Sequence, residues 1–179
     1  MSVMATAWVM AATAAAFIPA SGAHDAKRDA KPSAQAFLQR AAERQQAEIA
    51  LGELASERAR DQQVRQFGTR MIEDHRKANA EIQQLAFKEG VMLPTELTDK
   101  HKHTKEQFAR LSGREFDRAY IEYMLRDHHK DVKEFERNVR AIKDPRIQHW
   151  AEGTLPLLKQ HLRQAQHIAG AIGMDVTAQ

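Results

Sequence analysis

Four long segments of the sequence repeat apolar residues every three or four positions, which is the spacing of one face of an α-helix. They cover residues 33–60, 61–89, 115–143 and 144–170, with the last reaching at most residue 173. The positions on the inward faces are Phe37, Ala41, Glu48, Leu51 and Ala55; Val64, Phe67, Met71, His75, Ala78, Ile82 and Leu85; Phe116, Tyr120, Ile121, Met124, His128, Val132, Phe135, Val139 and Ile142; and Ile147, Ala151, Leu155, Leu158, His161, Ala165, Ile168 and Ile172. The pattern predicts four long helices and no sheet.

The breaks between these segments carry the residues that begin and end helices. Asp61 can cap the second helix, Gly90 can end it, and Asp144-Pro145 supplies a cap and a first-turn proline for the fourth. Pro156 lies inside the fourth segment and predicts a kink there.

The connection between the second and third long segments is too long for a simple turn. Within it, Thr95 to Leu111 is predicted as a shorter helix that ends at Ser112-Gly113. A connection of this kind is typical of ferritin-like bundles, where it crosses back along the molecule. We therefore expect an all-α, ferritin-like four-helix bundle over residues 33–173, with a helical crossover between its second and third long helices.

The first residues are typical of a targeting signal. An apolar run from Val3 to Ile18 is followed by Ser21 and Ala23, small residues at the positions that precede a cleavage site before His24. The run is shorter than the ~20 apolar residues that span a bilayer. One feature departs from the signal-peptide pattern: no Lys or Arg precedes the run. We expect residues 1–23 to be a signal peptide and residues 24–32 to be a flexible lead-in. We expect the mature chain to have no transmembrane segment and to be exported to the periplasm or cell envelope.

Composition narrows the possible partners and chemistry. The chain has no Cys, which excludes disulfides, thiolate metal ligands and a lipoprotein anchor. Acidic and basic residues are interleaved along the chain and leave a net charge of only +3. This pattern favours solvated helix faces over nucleic-acid binding. A homodimer remains open, and the sequence identifies no protein partner.

One polar residue interrupts each inward-facing stripe: Glu48, His75, His128 and His161. Glu48 and His75 lie at nearly equal sequence distances on either side of the first turn, about 20 Å from it at the rise of an α-helix. His128 and His161 flank the second turn in the same way, each about 25 Å away. All four side chains should therefore meet near the middle of the bundle.

Buried carboxylates and imidazoles are costly unless they are paired or bind a metal ion. One Glu and three His suit a single transition-metal ion such as Zn, Fe or Cu. Asp74, Asp127 and Asp131 could orient the imidazoles from outside. Met71 and Met124, four residues before two of the histidines, are expected to pack rather than to bind a cofactor. The alternative is a structural or interaction module in which the polar layer is only a hydrogen-bonded network.

At these residues the chain resembles a family of exported bacterial proteins that carry a domain of unknown function and are often labelled outer membrane proteins. The matching stretches are residues 37–59, 64–86, 116–129 and 155–168, including Asp74-His75, Phe116-Asp117, His128, and Pro156 followed by His161. The resemblance implies a ferritin-like fold and an envelope location, and it implies no established activity.

The di-iron pattern Glu-x-x-His of ferritin-like oxidases is missing. The residues three positions before the histidines are Ile72, Leu125 and Leu158. This difference argues against an oxidase, favours a non-enzymatic role, and indicates one bound ion rather than two.

Overall fold

The computed structural model describes residues 34–175, and every structural statement below refers to them. They form five α-helices and contain no strand, apart from one isolated bridge between Ala59 and Gly113. The helices are α1 (Ala34–Arg58), α2 (Gln62–Lys88), α3 (Asp99–Ala109), α4 (Gly113–Ala141) and α5 (Pro145–Ala171). The predicted signal peptide and lead-in lie outside the described residues.

The four long helices form two hairpins that pack against each other. Short turns join α1 to α2 and α4 to α5; across the bundle, α2 packs on α5 and α1 on α4. The short α3 crosses between the hairpins and contacts α1 and α4. This arrangement confirms the predicted all-α bundle with a helical crossover. None of the described helices is long and apolar enough to cross a membrane.

The crossover helix is shorter than predicted. The side chain of Thr98 accepts a hydrogen bond from the backbone N–H of His101, so α3 begins at Asp99 rather than at Thr95. Ser112 and Gly113, predicted to end the crossover helix, instead begin α4 as its N-cap and first residue. The helix α5 runs continuously through Pro156.

The core consists of two apolar clusters, one toward each end of the bundle. The first contains Phe67, Phe116 and Tyr120, near the turn between α1 and α2. The second contains Phe37 and Phe135, near the opposite end. The predicted histidines lie along the chain between the helix segments that build these clusters, which places the polar layer between the two apolar regions.

Two glycines allow α1 and α2 to approach closely. A Cβ atom added to Gly52 would lie 2.8 Å from the backbone oxygen of Gly68. A Cβ atom added to Gly68 would lie 2.7 Å from the Cβ atom of Ala55. Both distances are below van der Waals contact, so this crossing requires residues without a side chain.

The start of α4 holds the turn between α1 and α2. The carboxylate of Asp117 accepts backbone hydrogen bonds from Arg60 (2.9 Å) and Asp61 (3.0 Å). Asp117 is only 3% exposed. The buried carboxylate thus satisfies two backbone donors of a different segment.

Candidate metal centre

Three buried histidines from three helices meet in the polar layer. His75 lies on α2, His128 on α4 and His161 on α5, and their exposed fractions are 3%, 0% and 0%. The ring centroids are separated by 5.3–6.0 Å. One ring nitrogen of each histidine lies within 4.8 Å of the corresponding nitrogens of the other two. The structure thus brings together three of the four residues predicted from the sequence.

Hydrogen bonds from outside the cluster fix two of the rings. The Nδ1 atom of His75 lies 2.5 Å from the amide oxygen of Gln45 on α1. The Nδ1 atom of His128 lies 3.0 Å from the backbone oxygen of Met124, one turn earlier on α4. Since both partners accept hydrogen bonds, each ring carries its proton on Nδ1 and has a lone pair on Nε2.

The third ring is held through its other nitrogen. The Nε2 atom of His161 donates to a carboxylate oxygen of Asp74 at 2.9 Å, and Arg70 donates to the same oxygen at 2.9 Å. The lone pair of His161 is therefore on Nδ1. The Asp74 side chain is 24% exposed, so this carboxylate lies between the buried layer and solvent.

The three remaining nitrogens are buried and have no hydrogen-bond partner among the described residues. They are Nε2 of His75, Nε2 of His128 and Nδ1 of His161. Buried polar atoms are nearly always satisfied in native proteins, and an exception needs an explanation such as an ion. Three lone pairs without donors, close to one another, form a natural ligand set for a metal ion.

The surroundings keep the imidazoles neutral. Burial, together with the neighbouring histidines, lowers the pKa of His75 well below its usual value. Burial and His161 lower the pKa of His128 to about 4, against the smaller opposing effect of Asp127. Burial also lowers the pKa of His161, although its hydrogen bond to Asp74 acts in the opposite direction. Neutral imidazole is the form that binds metal ions.

Asp74 is well suited to support such a site. Burial raises the pKa of its carboxyl, but hydrogen bonds from His161 and Arg70 outweigh this effect and hold the pKa below its usual value. A carboxylate that accepts the second N–H of a ligating histidine orients the ring and increases its basicity. This is the orienting role for which the sequence offered Asp74 as a candidate.

The fourth predicted residue, Glu48, lies outside the group of three histidines. It is 1% exposed and its side chain meets that of Asp127, with no N–H or O–H donor to either oxygen among the described residues. Burial, followed by Asp127 and Asp131, raises the pKa of Glu48 well above its usual value, while Arg44 lowers it. Burial beside two other carboxyl groups thus disfavours the charged form of Glu48.

An ion-pair network adjoins Glu48 at the interface of α1 and α4. The guanidinium of Arg44 lies 2.8 Å from Asp131 and 2.5 Å from Glu134, and Arg40 contacts Glu134 at 3.0 Å. Asp131, which the sequence offered as an orienting partner of the histidines, instead belongs to this network. The polar layer therefore has two parts, a three-histidine cluster and a carboxylate network.

Sequence reasoning missed Gln45 as a partner of His75. It lies three residues before Glu48, on the same buried face of α1, and this position was the only signal available. Met71 and Met124 are fully buried in the apolar core, as the packing interpretation predicted.

Comparison with known proteins agrees with this architecture. The family model described as domain of unknown function DUF4142 matches residues 19–168. The chain belongs to this family. A solved structure of a DUF305 protein from Streptomyces coelicolor, described as secreted, superposes with a TM-score of 0.67 at 14% identity, covering 82% of this chain and 98% of that one. No curated protein matches the sequence at a significant level.

The likeness to the DUF305 protein concerns the fold alone, because the identity is low. The match to the DUF4142 model confirms the predicted membership of a family whose domain has no known function. The chemistry that this DUF4142 chain can perform is therefore inferred from its own residues. Three neutral imidazoles can hold one transition-metal ion and leave a coordination position for water or a further ligand.

Proposed function

We propose that this chain is an exported helical bundle that binds a single transition-metal ion through His75, His128 and His161. Two observations support this most directly: one ring nitrogen of each histidine lies within 4.8 Å of a ring nitrogen of the other two, and each histidine has one buried ring nitrogen without a hydrogen-bond partner among the described residues. The other ring nitrogen of each histidine donates to an oxygen acceptor, and this hydrogen bond fixes the tautomer that ligation needs.

Only a small contraction of the cluster is needed to hold an ion. Ligands about 2.05 Å from a tetrahedral zinc ion are about 3.3 Å apart, compared with separations of up to 4.8 Å here. Closing this gap requires rotation of the imidazoles about their Cα–Cβ and Cβ–Cγ bonds.

The ligand set favours Zn, Cu or Fe over Mg or Ca, because imidazole suits the former and oxygen donors the latter. Three neutral ligands leave most of the ion's charge uncompensated, and Asp74 supplies the nearest support through His161. We propose a role in metal handling or stress tolerance in the bacterial envelope rather than catalysis. Glu48 is not required for this function, since its contacts are with the carboxylate network.

Metal content provides the test. The full chain, purified without a His tag and dialysed against Zn²⁺ or Cu²⁺, should hold about one equivalent by elemental analysis. The triple variant His75→Ala/His128→Ala/His161→Ala should hold none. A matched control, His149→Ala/His167→Ala, removes exposed histidines of α5 and should keep the full equivalent. Equal metal content in both variants would contradict the proposal.

Asp74 offers a second, graded test. Asp74→Asn removes the charge that supports His161 but leaves the three ligands in place, so metal affinity should fall about 10–100-fold. Glu73→Gln changes an exposed neighbouring carboxylate and should leave the affinity unchanged. An unchanged affinity in Asp74→Asn would show that this contact does not support a bound metal.

The ion-pair network between α1 and α4 supports an alternative, a non-catalytic module stabilised by a buried polar layer. In that case the wild-type chain should take up no metal. Each histidine substitution should then only lower stability, because its outer partner loses a hydrogen bond. Thermal unfolding with and without metal separates the two, since only a metal-binding protein gains stability from the ion.

A further inference from the structure

A cleft of about 430 Å³ lies at the end of the bundle where α1 turns into α2. Its walls come from that turn, from the first two turns of α4 and from the end of α5. The lining residues are Arg60, Asp61, Gln62, Arg65, Arg114, Asp117, Arg118, Ala171 and Ile172. None of them belongs to the metal centre or to the carboxylate network.

Four arginines and two aspartates line this cleft, and backbone donors already engage both carboxylates. Asp61 accepts hydrogen bonds from the N–H groups of Gln63 and Val64. Asp117 accepts two from the turn between α1 and α2. The positive charge of the cleft is therefore only partly compensated.

The arginines retain donors that the fold does not use. Arg65 donates through Nη1 to the backbone oxygens of Ala59 and Arg60. Arg118 donates through Nη1 to the backbone oxygen of Gly173. In the part of the chain that the structure describes, none of the four guanidinium groups forms an ion pair with a carboxylate.

We propose that this cleft binds a phosphate group, either a free phosphate compound or the headgroup of an anionic phospholipid. All four cations are arginines, whose planar fork pairs with phosphate oxygens through two parallel hydrogen bonds. Asp117 keeps the turn, and with it Arg60, in a fixed place beside α4, so part of the binding geometry exists before the anion arrives.

The helix ends add to the same preference. Both α2 and α4 begin at this cleft, where their dipoles favour negative charge. Asp61 caps α2, whereas the side chain of Ser112 makes no capping hydrogen bond to α4. The arginines carry the proposal, and the uncapped start of α4 strengthens it.

Calorimetry with inorganic phosphate, and co-sedimentation with phosphatidylglycerol or phosphatidylcholine vesicles, test the proposal on the full chain at low salt with EDTA present. The variant Arg60→Gln/Arg114→Gln removes two exposed guanidinium groups that donate no hydrogen bond to any other residue of the described part of the chain. The matched control, Arg137→Gln/Arg140→Gln, removes the same charge from exposed positions near the other end of α4. Circular dichroism melting checks that both variants fold.

We expect the wild-type chain and the control to bind with similar affinity, and the cleft variant to bind at least about tenfold more weakly, as loss of charged hydrogen bonds implies. Binding of inorganic phosphate with this pattern would identify a free phosphate ligand. Binding confined to phosphatidylglycerol vesicles, with the same pattern, would identify a lipid headgroup. Absence of binding to both probes, or equal weakening in the two variants, would overturn the proposal.

Discussion

Replacing His128 by glutamine removes a fully buried imidazole whose protonation is disfavoured in the folded chain. The pKa of His128 is about 4 in the bundle, compared with 6.5 for an unperturbed histidine. Between these values the unfolded chain binds a proton that the folded chain does not. The contribution of His128 therefore makes the wild-type protein less stable as the pH falls from 6.5 toward 4.

The size of the effect follows from the difference of 2.5 pKa units between 6.5 and 4. At about 1.36 kcal/mol per unit, the free energy of unfolding should fall by about 3 kcal/mol between pH 7 and pH 4 on account of this residue alone. Glu48 and Asp131, whose pKa values are raised by burial, act in the opposite direction. Both carboxyls are present in the variant as well, so comparing the two proteins isolates the histidine.

Urea unfolding of both proteins at several pH values from 4 to 8, with EDTA to remove metal, measures this difference. The glutamine variant loses the hydrogen bond to Met124 at every pH, which adds a constant offset. The advantage of wild type over His128→Gln should be largest near pH 7 and should shrink by about 3 kcal/mol at pH 4. A difference that stays constant over this range would refute the burial of a neutral imidazole.

Three further predictions concern the fold and export. Gly68→Ala should destabilise the chain by about 1–2 kcal/mol, because the overlap at the helix crossing outweighs a helix-propensity gain of up to about 1 kcal/mol. Gly170→Ala, with open space around it, should stabilise it in the same thermal melts. Asp117→Ala should cost about 2–4 kcal/mol in urea unfolding, since two backbone donors lose their acceptor; a cost below 0.5 kcal/mol, about the usual size for a surface substitution, would contradict this account. N-terminal sequencing of exported material should begin near His24, and an intact Met1 would contradict the predicted signal peptide.

The sequence predicted the helices and the histidine cluster because both depend on simple periodicity. The inward-facing phase of each helix identifies which residues are buried, and counting from a turn gives their depth. For His75, His128 and His161 these two quantities were sufficient. Their convergence required no knowledge of hydrogen bonds.

Glu48 shows where that reasoning ends. Its phase was correct and it is buried, but phase does not specify which neighbouring helix a side chain meets. Its neighbours are Asp127 and Asp131 on α4. Gln45, one turn or about 5 Å farther from the first turn, contacts His75 instead. A difference of one helical turn is smaller than residue counting can resolve, and hydrogen-bond partners cannot be derived from periodicity.

The bond between Asp117 and the turn that joins α1 to α2 has a consequence for the order of folding. Its two backbone donors lie 57 and 56 residues before their acceptor. The turn of the first hairpin therefore completes its hydrogen bonding only when the start of α4 has docked. Closing so long a loop carries an entropic cost before these bonds form. We therefore expect the turn and the start of α4 to become ordered together.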